Sequence, residues 1–255
     1  MRKFFTIASL LALTLSACSE EAAKSEQKGE GRVTIDCVVS TSVVDTRANI
    51  SCTTPAAEDF TLRIDGVSHT YAEEYTTIAQ FNEDNYLYNG TYKASVVAGN
   101  INEEGYDKAT FAGSTEFAVE SRKETEVAIT ATIANALVKV EVTENFERYF
   151  EGGHALTLTT AAGNEFDVTA QSDLLFIAPA EFTIAGTATK QPNQSGAEGV
   201  VVTLPEYKAT DVKPQTLYTV KFDVEDAGSA TLTITLNETL VESIEIEQEL
   251  NDNAK

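Results

Sequence analysis

Of the groups in this 255-residue chain that can do chemistry, one cysteine stands in a pattern that specifies a reaction. Leu15-Ser16-Ala17-Cys18 places a leucine three residues before a cysteine, with small residues between. This is the lipobox at which a bacterial precursor is cleaved, leaving a new N-terminal cysteine whose thiol takes a lipid. The flanks agree. Arg2 and Lys3 give a charged start, and Phe4 to Leu15 is an apolar run too short to span a bilayer, which needs about 20 residues. Residues 1–17 are predicted as signal peptide, Cys18 as the lipidation site and 18–31 as a flexible polar tether.

The other reactive groups form no comparable pattern. An exported chain permits a disulfide between Cys37 and Cys52, if strands Arg32–Ser40 and Asn49–Thr54 lie opposite one another. The alternative is a pair of small half-apolar side chains that never bond. His69 and His154 stand in no nucleophile or metal-ligand pattern, and no HExxH, phosphate-binding loop or GxGxxG occurs. Glu73-Glu74, Glu83-Asp84 and Glu103-Glu104 are carboxylate pairs of the kind that 40 acidic residues produce by chance. Asn82 to Asn85 lacks the alternating ligands and glycine of a calcium loop. The chain is therefore read as a protein without catalytic residues, cofactor or metal. Tyr71, Tyr75, Phe81, Tyr86, Tyr88 and Tyr92 form its densest aromatic stretch. Tyr86 and Tyr88 share one side of a strand and are the candidate ligand-facing pair; core packing is the competing reading.

Composition narrows the partners. A formal charge of −22 repels phosphate backbones and argues against nucleic acid. Hydrophobic residues make up 42% of the chain, enough for a core.

The elements that must carry these residues are strands. Val33-Thr34-Ile35-Asp36-Cys37, Phe60 to Ile64, Val127 to Ile133, Leu156 to Leu158, Tyr218 to Val224 and Leu232 to Leu236 all alternate apolar and polar. Turn pairs such as Asp65-Gly66, Asn89-Gly90, Gly152-Gly153 and Gly163-Asn164 separate them. The expectation is an all-β chain of two consecutive antiparallel β-sandwich domains, at 32–134 and 135–250. A faint echo of spacing between Val119–Val127 and Val212–Val220 fits two similar halves. One helix is expected near Glu144–Phe150, where Phe146, Tyr149 and Phe150 share a face.

Five segments carry a family resemblance: Leu87 to Tyr92, Phe111 to Val119, Ile133 to Val140, Phe146 with Tyr149-Phe150, and Tyr218 to Val224. In this order and spacing the chain resembles the DUF4493 lipoproteins of Bacteroidetes and, more distantly, the fimbrillin-type pilus proteins. Ser19-Glu20-Glu21 likewise resembles the acidic signal that sends such lipoproteins to the cell surface. The resemblance implies transthyretin-like or Ig-like sandwiches, an outer-membrane lipid anchor and a structural or adhesive role, with pilus subunits or host and glycan ligands as partners. It also implies a proteolytic cut after Arg47, loss of the first strand, and filling of the groove by a strand from another subunit. Leu240 to Glu247 is a candidate added strand. The plain alternatives are a solvated loop arginine and an ordinary last strand. A glycan-binding surface lipoprotein of a nutrient-capture system is the competing role.

Overall fold

Alternation of buried and exposed side chains runs through nearly every element of the computed structural model. It describes residues 29–41, 50, 52–170, 173–190 and 199–224, and the backbone of 229–236 and 246–251. Cys18, the tether up to residue 28, Arg47 and residues 240–245 lie outside the described residues, whereas Glu30 and Gly31, expected in the tether, already belong to the first strand because they pair with Tyr88 and Leu87. In chain order the elements are β1 (Glu30–Val39), β2 (Thr61–Gly66), β3 (Ala72–Tyr75), α1 (Ile78–Glu83), β4 (Tyr86–Tyr88), β5 (Gly90–Ala98), β6 (Gly105–Tyr106), β7 (Phe111–Val119) and β8 (Glu124–Ile133). There follow β9 (Ala136–Val142), α2 (Glu144–Tyr149), β10 (His154–Thr160), β11 (Glu165–Asp167), β12 (Leu175–Ile177), β13 (Phe182–Thr189), β14 (Val201–Thr203), β15 (Tyr207–Ala209), β16 (Leu217–Phe222), β17 (Ser229–Leu236) and β18 (Ile246–Asn251).

The first sheet has the order β3-β2-β5-β7-β8-β1-β4. It folds on itself: β7 and β8 pair only where Phe111 and Ala112 meet Ile133 and Thr132. From that corner β3-β2-β5-β7 make one layer and β8-β1-β4 the other. Leu62 and Ile64 of β2, Tyr92, Ala94 and Val96 of β5, Val33 and Ile35 of β1, and Val127 and Ile129 of β8 fill the space between. Each large apolar side chain so buried contributes about 1.5–3 kcal/mol.

The later strands repeat the plan. One sheet runs β18-β17-β16-β9-β12-β6; the other runs β11-β10-β13-β14, with β15 also on β13. A second core, including Val138, Val140, Phe146, Leu158, Phe182, Ile184 and Val220, lies among them.

The expectation of antiparallel pairing holds except at two places. β1 runs parallel to β8, and β9 runs parallel to β16. Parallel neighbours need a long connection, and in both cases that connection supplies strands of the other layer. The echo noted between Val119–Val127 and Val212–Val220 is the approach to β8 and to β16, the strand in each half that pairs in parallel with the half's first strand.

Both helices are short and capped by threonine. Thr77 accepts a hydrogen bond from the Gln80 N–H and Thr143 one from the Phe146 N–H, at 3.1 and 3.2 Å. Phe146, Tyr149 and Phe150 are buried, so the helical face read near Glu144 is present.

The two cores interlock. The two-residue β6 leaves the first half to pair with β12, and Leu137, Phe176 and Leu217 pack into the first core. Gly105 of β6 has φ +149°, a region that side chains rarely adopt, so glycine is needed at this step.

Candidate functional site

The aromatic stretch divides between core and surface. Tyr92 and Phe81 are buried; Tyr92 stacks on Phe117, its ring edge meets Tyr71, and its hydroxyl donates to the Tyr88 carbonyl at 2.9 Å. Tyr71 and Tyr75 share a 2.9 Å hydrogen bond between hydroxyls, and burial holds the Tyr71 phenol well above the ordinary tyrosine range. Core packing, expected of the whole stretch as the bland reading, therefore applies to these four.

Tyr86 and Tyr88 are different. They are 57% and 48% exposed, while Leu87 between them is buried. Strand alternation thus turns both phenols outward from β4, the last strand of its sheet. In register, Tyr86 stands opposite Arg32 and Tyr88 opposite Glu30 of β1. Arg32 reaches Asn85 Oδ1 from Nε at 3.3 Å and Glu124 at 3.9 Å, a solvent-exposed ion pair worth little. The face that carries the tyrosines is otherwise acidic and polar, with Glu30, Asp36, Glu124 and Glu126 exposed.

The edge of β1 beside β4 has a feature that strand patterning does not reveal. Asn85 lends its carbonyl to the Val33 N–H at 2.8 Å. One step along, the Asn82 side chain takes over: its Oδ1 accepts from the Ile35 N–H at 3.1 Å and its Nδ2 donates to the Ile35 carbonyl at 2.9 Å. A side-chain amide thus fills the place of a neighbouring strand. The position of Asn82 on α1 is what brings it to β1.

Cys37 and Cys52 are both free and half-buried, each packed against the first core. The described residues of the expected strand Asn49–Thr54, which are Ile50 and Cys52–Thr54, form no strand. Burial raises both thiols above their usual pKa; Asp36 adds to this at Cys37 and Asp107 at Cys52.

The remaining candidates are structural in their contacts. His154 Nε2 lies 3.1 Å from the Thr169 carbonyl and its ring meets Phe146 edge-on. His69 packs edge-on against Tyr92. Glu104 is bonded across the two halves, and Glu103 pairs with Lys108 at 3.5 Å. Among the described residues no group of three or more His, Cys, Asp or Glu stands together for a metal, and no helix is long and apolar enough to cross a membrane.

The class defined by this architecture is an all-β protein of sandwiched sheets. The chain belongs to the DUF4493 family, a domain of unknown function, whose profile matches residues 29–252. Among curated proteins none matches. Similar solved structures include a fimbrial assembly protein from Parabacteroides distasonis, 10% identical, TM-score 0.48, covering 85% of this chain and 98% of that one. Another is a candidate polysaccharide-binding protein from Bacteroides thetaiotaomicron, 9% identical, TM-score 0.42, covering 86% and 99%. A third is a candidate cell adhesion protein from Bacteroides eggerthii, 10% identical, TM-score 0.42, covering 78% and 86%.

Proposed function

We propose that this protein is a lipid-anchored component of the bacterial cell surface with a structural or adhesive role, related to pilus assembly. Cys18 holds the lipid, the residues between it and β1 form the tether, and the sheets face outward in two sandwich units that meet near Asn135.

One observation carries the reading. β1, the first strand, lies between β8 and β4 with Val33 and Ile35 buried in the core. Taking it out would leave an apolar slot bounded by two strands, whose unpaired backbone groups an extended segment of another copy would satisfy. Arg47, a few residues past β1, is the proposed cut; it would free the body from β1 and from the lipid on Cys18 together, so the anchored form is the one that precedes assembly. The reading requires Cys37 and Cys52 to stay unbonded, so that β1 has no covalent tie to the body. The test is digestion of the mature protein with an Arg-specific protease, followed by fragment mass and particle size. A single cut after Arg47 with growth into larger species supports the reading. Resistance at Arg47 with a persistent monomer removes the assembly role.

The outward pair Tyr86 and Tyr88 favours a second reading, capture of a glycan by stacking of sugar rings on the phenols. The acidic surroundings disfavour an anionic glycan, so a neutral one is the first to test. A neutral polysaccharide that raises the melting temperature of the parent but not of the Tyr86→Ala, Tyr88→Ala double variant would support it.

A further inference from the structure

The start of β1 is held at one end of the first half. Gly29 accepts a hydrogen bond from the Asn89 N–H at 2.9 Å, and Glu30 accepts one from the Arg122 N–H at 2.7 Å. A side chain on Gly29 would strike Ser121, so the chain enters the sheet between the β4–β5 and β7–β8 turns. The β2–β3 turn stands at the same end: the Val67 N–H donates to the Thr91 carbonyl at 2.9 Å, and Thr91 pairs with Ala118 of β7. The second half departs from the opposite end, because β8 runs parallel to β1 and leads directly into β9. The length of β8, 10 residues, sets the two ends about 33 Å apart.

The two ends differ in charge. Where β1 starts, over 29–32, 66–71, 88–91 and 119–124, Glu30, Glu120 and Glu124 are matched by Arg32, Arg122 and Lys123. The opposite end carries Glu58, Asp59, Glu103, Glu104 and Asp107 against Lys108. At physiological salt a charge is felt over only about 8–10 Å, so the balance at each end, rather than the charge of the whole chain, governs its approach to lipid phosphates. Arg32 is paired with Glu124 and Lys123 with Glu120, while the exposed Arg122 guanidinium has no acidic partner among the described residues. The same end exposes Val67 in the layer of β2 and Tyr88 in the layer of β4, at 53% and 48%.

We infer that this end of the first half docks on the phospholipid headgroup layer, with Arg122 taking a lipid phosphate and Val67 and Tyr88 meeting the interface on either side. A guanidinium matches the geometry of a phosphate, and a tyrosine suits a boundary that is apolar on one side and wet on the other. Docking presupposes the lipid anchor proposed above and belongs to the anchored form. Gly29 is the eleventh residue after Cys18, so a lipid there keeps this end within about 40 Å of the bilayer. Confinement on that scale gives a weak contact a high effective concentration. Arg122 has φ +63°, in the left-handed region that favours glycine, yet a cation stands at this tip.

The experiment separates docking from lipidation. Mature protein with an N-terminal hexahistidine is captured on nanodiscs of phosphatidylcholine and phosphatidylglycerol through a nickel-chelating lipid. A gadolinium-chelating lipid then relaxes nearby methyl groups. Val67 and Val97 are exposed valines at opposite ends of one layer, so Val97 is the internal control. The tether alone brings the Val67 end nearer; docking adds a dependence on Arg122 and on salt. The Val67 methyls are expected to relax faster than those of Val97, and Arg122→Gly should lower the docked population about fivefold, as should high salt. Glycine suits φ +63°, so this variant should keep its melting temperature. Arg122→Lys retains a cation and should retain most of the effect. Equal relaxation at Val67 and Val97, or an excess at Val67 that Arg122→Gly and salt leave unchanged, would overturn the proposal. An unmodified Cys18, found by mass in the exported protein, would remove the anchor, and that failure is distinct from these.

Discussion

The hydroxyl of Thr160 donates to the Glu104 carboxylate at 2.6 Å, joining the first half of the chain to the second. The same carboxylate accepts from Asn164 Nδ2 at 2.8 Å and from the Ala178 backbone N–H at 2.9 Å. Tyr106, two residues on, bonds the Asp167 carbonyl through its hydroxyl and meets Phe166 edge-on. Glu104 is thus the acceptor at the centre of a hook. Hydrogen bonds to a charged group are each worth about 1.5–3 kcal/mol, and these three share one carboxylate and will not simply add. We expect Glu104→Ala to cost about 2–4 kcal/mol in urea unfolding and Glu104→Gln clearly less, because the amide keeps one acceptor oxygen. Equal costs for the two would show that side-chain packing matters there and the hydrogen bonds do not.

Phe176 extends the coupling into the hydrophobic cores. It belongs to β12 of the second half, yet it is buried in the first core beside Leu137 and Leu217. Its neighbours Leu175 and Ile177 point the other way, into the second core. Phe176→Ala should cost about 3–5 kcal/mol, the usual range for truncating a buried phenylalanine. Tyrosine fluorescence and far-ultraviolet dichroism should shift together, since the cores share this strand. Separation of the two transitions would mean that the halves unfold independently.

At the edge of β1 the Asn82 amide satisfies a donor and an acceptor at once. Asn82→Ala leaves both Ile35 groups without that partner, for an expected loss of about 1–3 kcal/mol. Asn82→Asp should be no better, because a carboxylate accepts from the Ile35 N–H but is set against its carbonyl. Hydrogen exchange supplies the local readout: the Ile35 amide should exchange faster in both variants, while the Ile129 amide on β8 keeps its protection in proportion to global stability. An unchanged Ile35 rate would remove Asn82 from the role.

Much of this was open to reading from the residues. Alternation marks β1, β2, β8, β10, β16 and β17, and the Phe146, Tyr149, Phe150 triplet marks α2. α1 was missed, although Thr77 as cap with Ile78 and Phe81 spaced for one face is a signal of the same kind. What local pattern cannot convey is pairing. That β1 lies beside β8 depends on chain folding across dozens of residues, and nothing in Val33 or Val127 names its neighbour. β6 is two residues long and has no period at all. Alternation does put Tyr86 and Tyr88 on one side, but whether that side meets core or solvent depends on which face β1 and α1 cover.

Alkaline pH offers a test of core packing as a whole. The phenols of Tyr71, Tyr92, Tyr106, Tyr207 and Tyr218 are all raised above the ordinary tyrosine value, chiefly by burial. Neighbouring groups add to this, such as the Tyr75 hydroxyl at Tyr71 and Asp167 at Tyr106. A raised pKa means that the folded state holds the proton more tightly than the unfolded chain. Their contribution is therefore complete below the unfolded value of about 10 and is lost as pH climbs through the folded values. Unfolding free energy should fall with pH above about 10, with these phenols ionising only as near-ultraviolet dichroism disappears. Replacing Tyr207 by phenylalanine should flatten that slope, because one linked proton is gone. A full phenolate absorbance reached while the dichroism stays native would show these rings to be open to water.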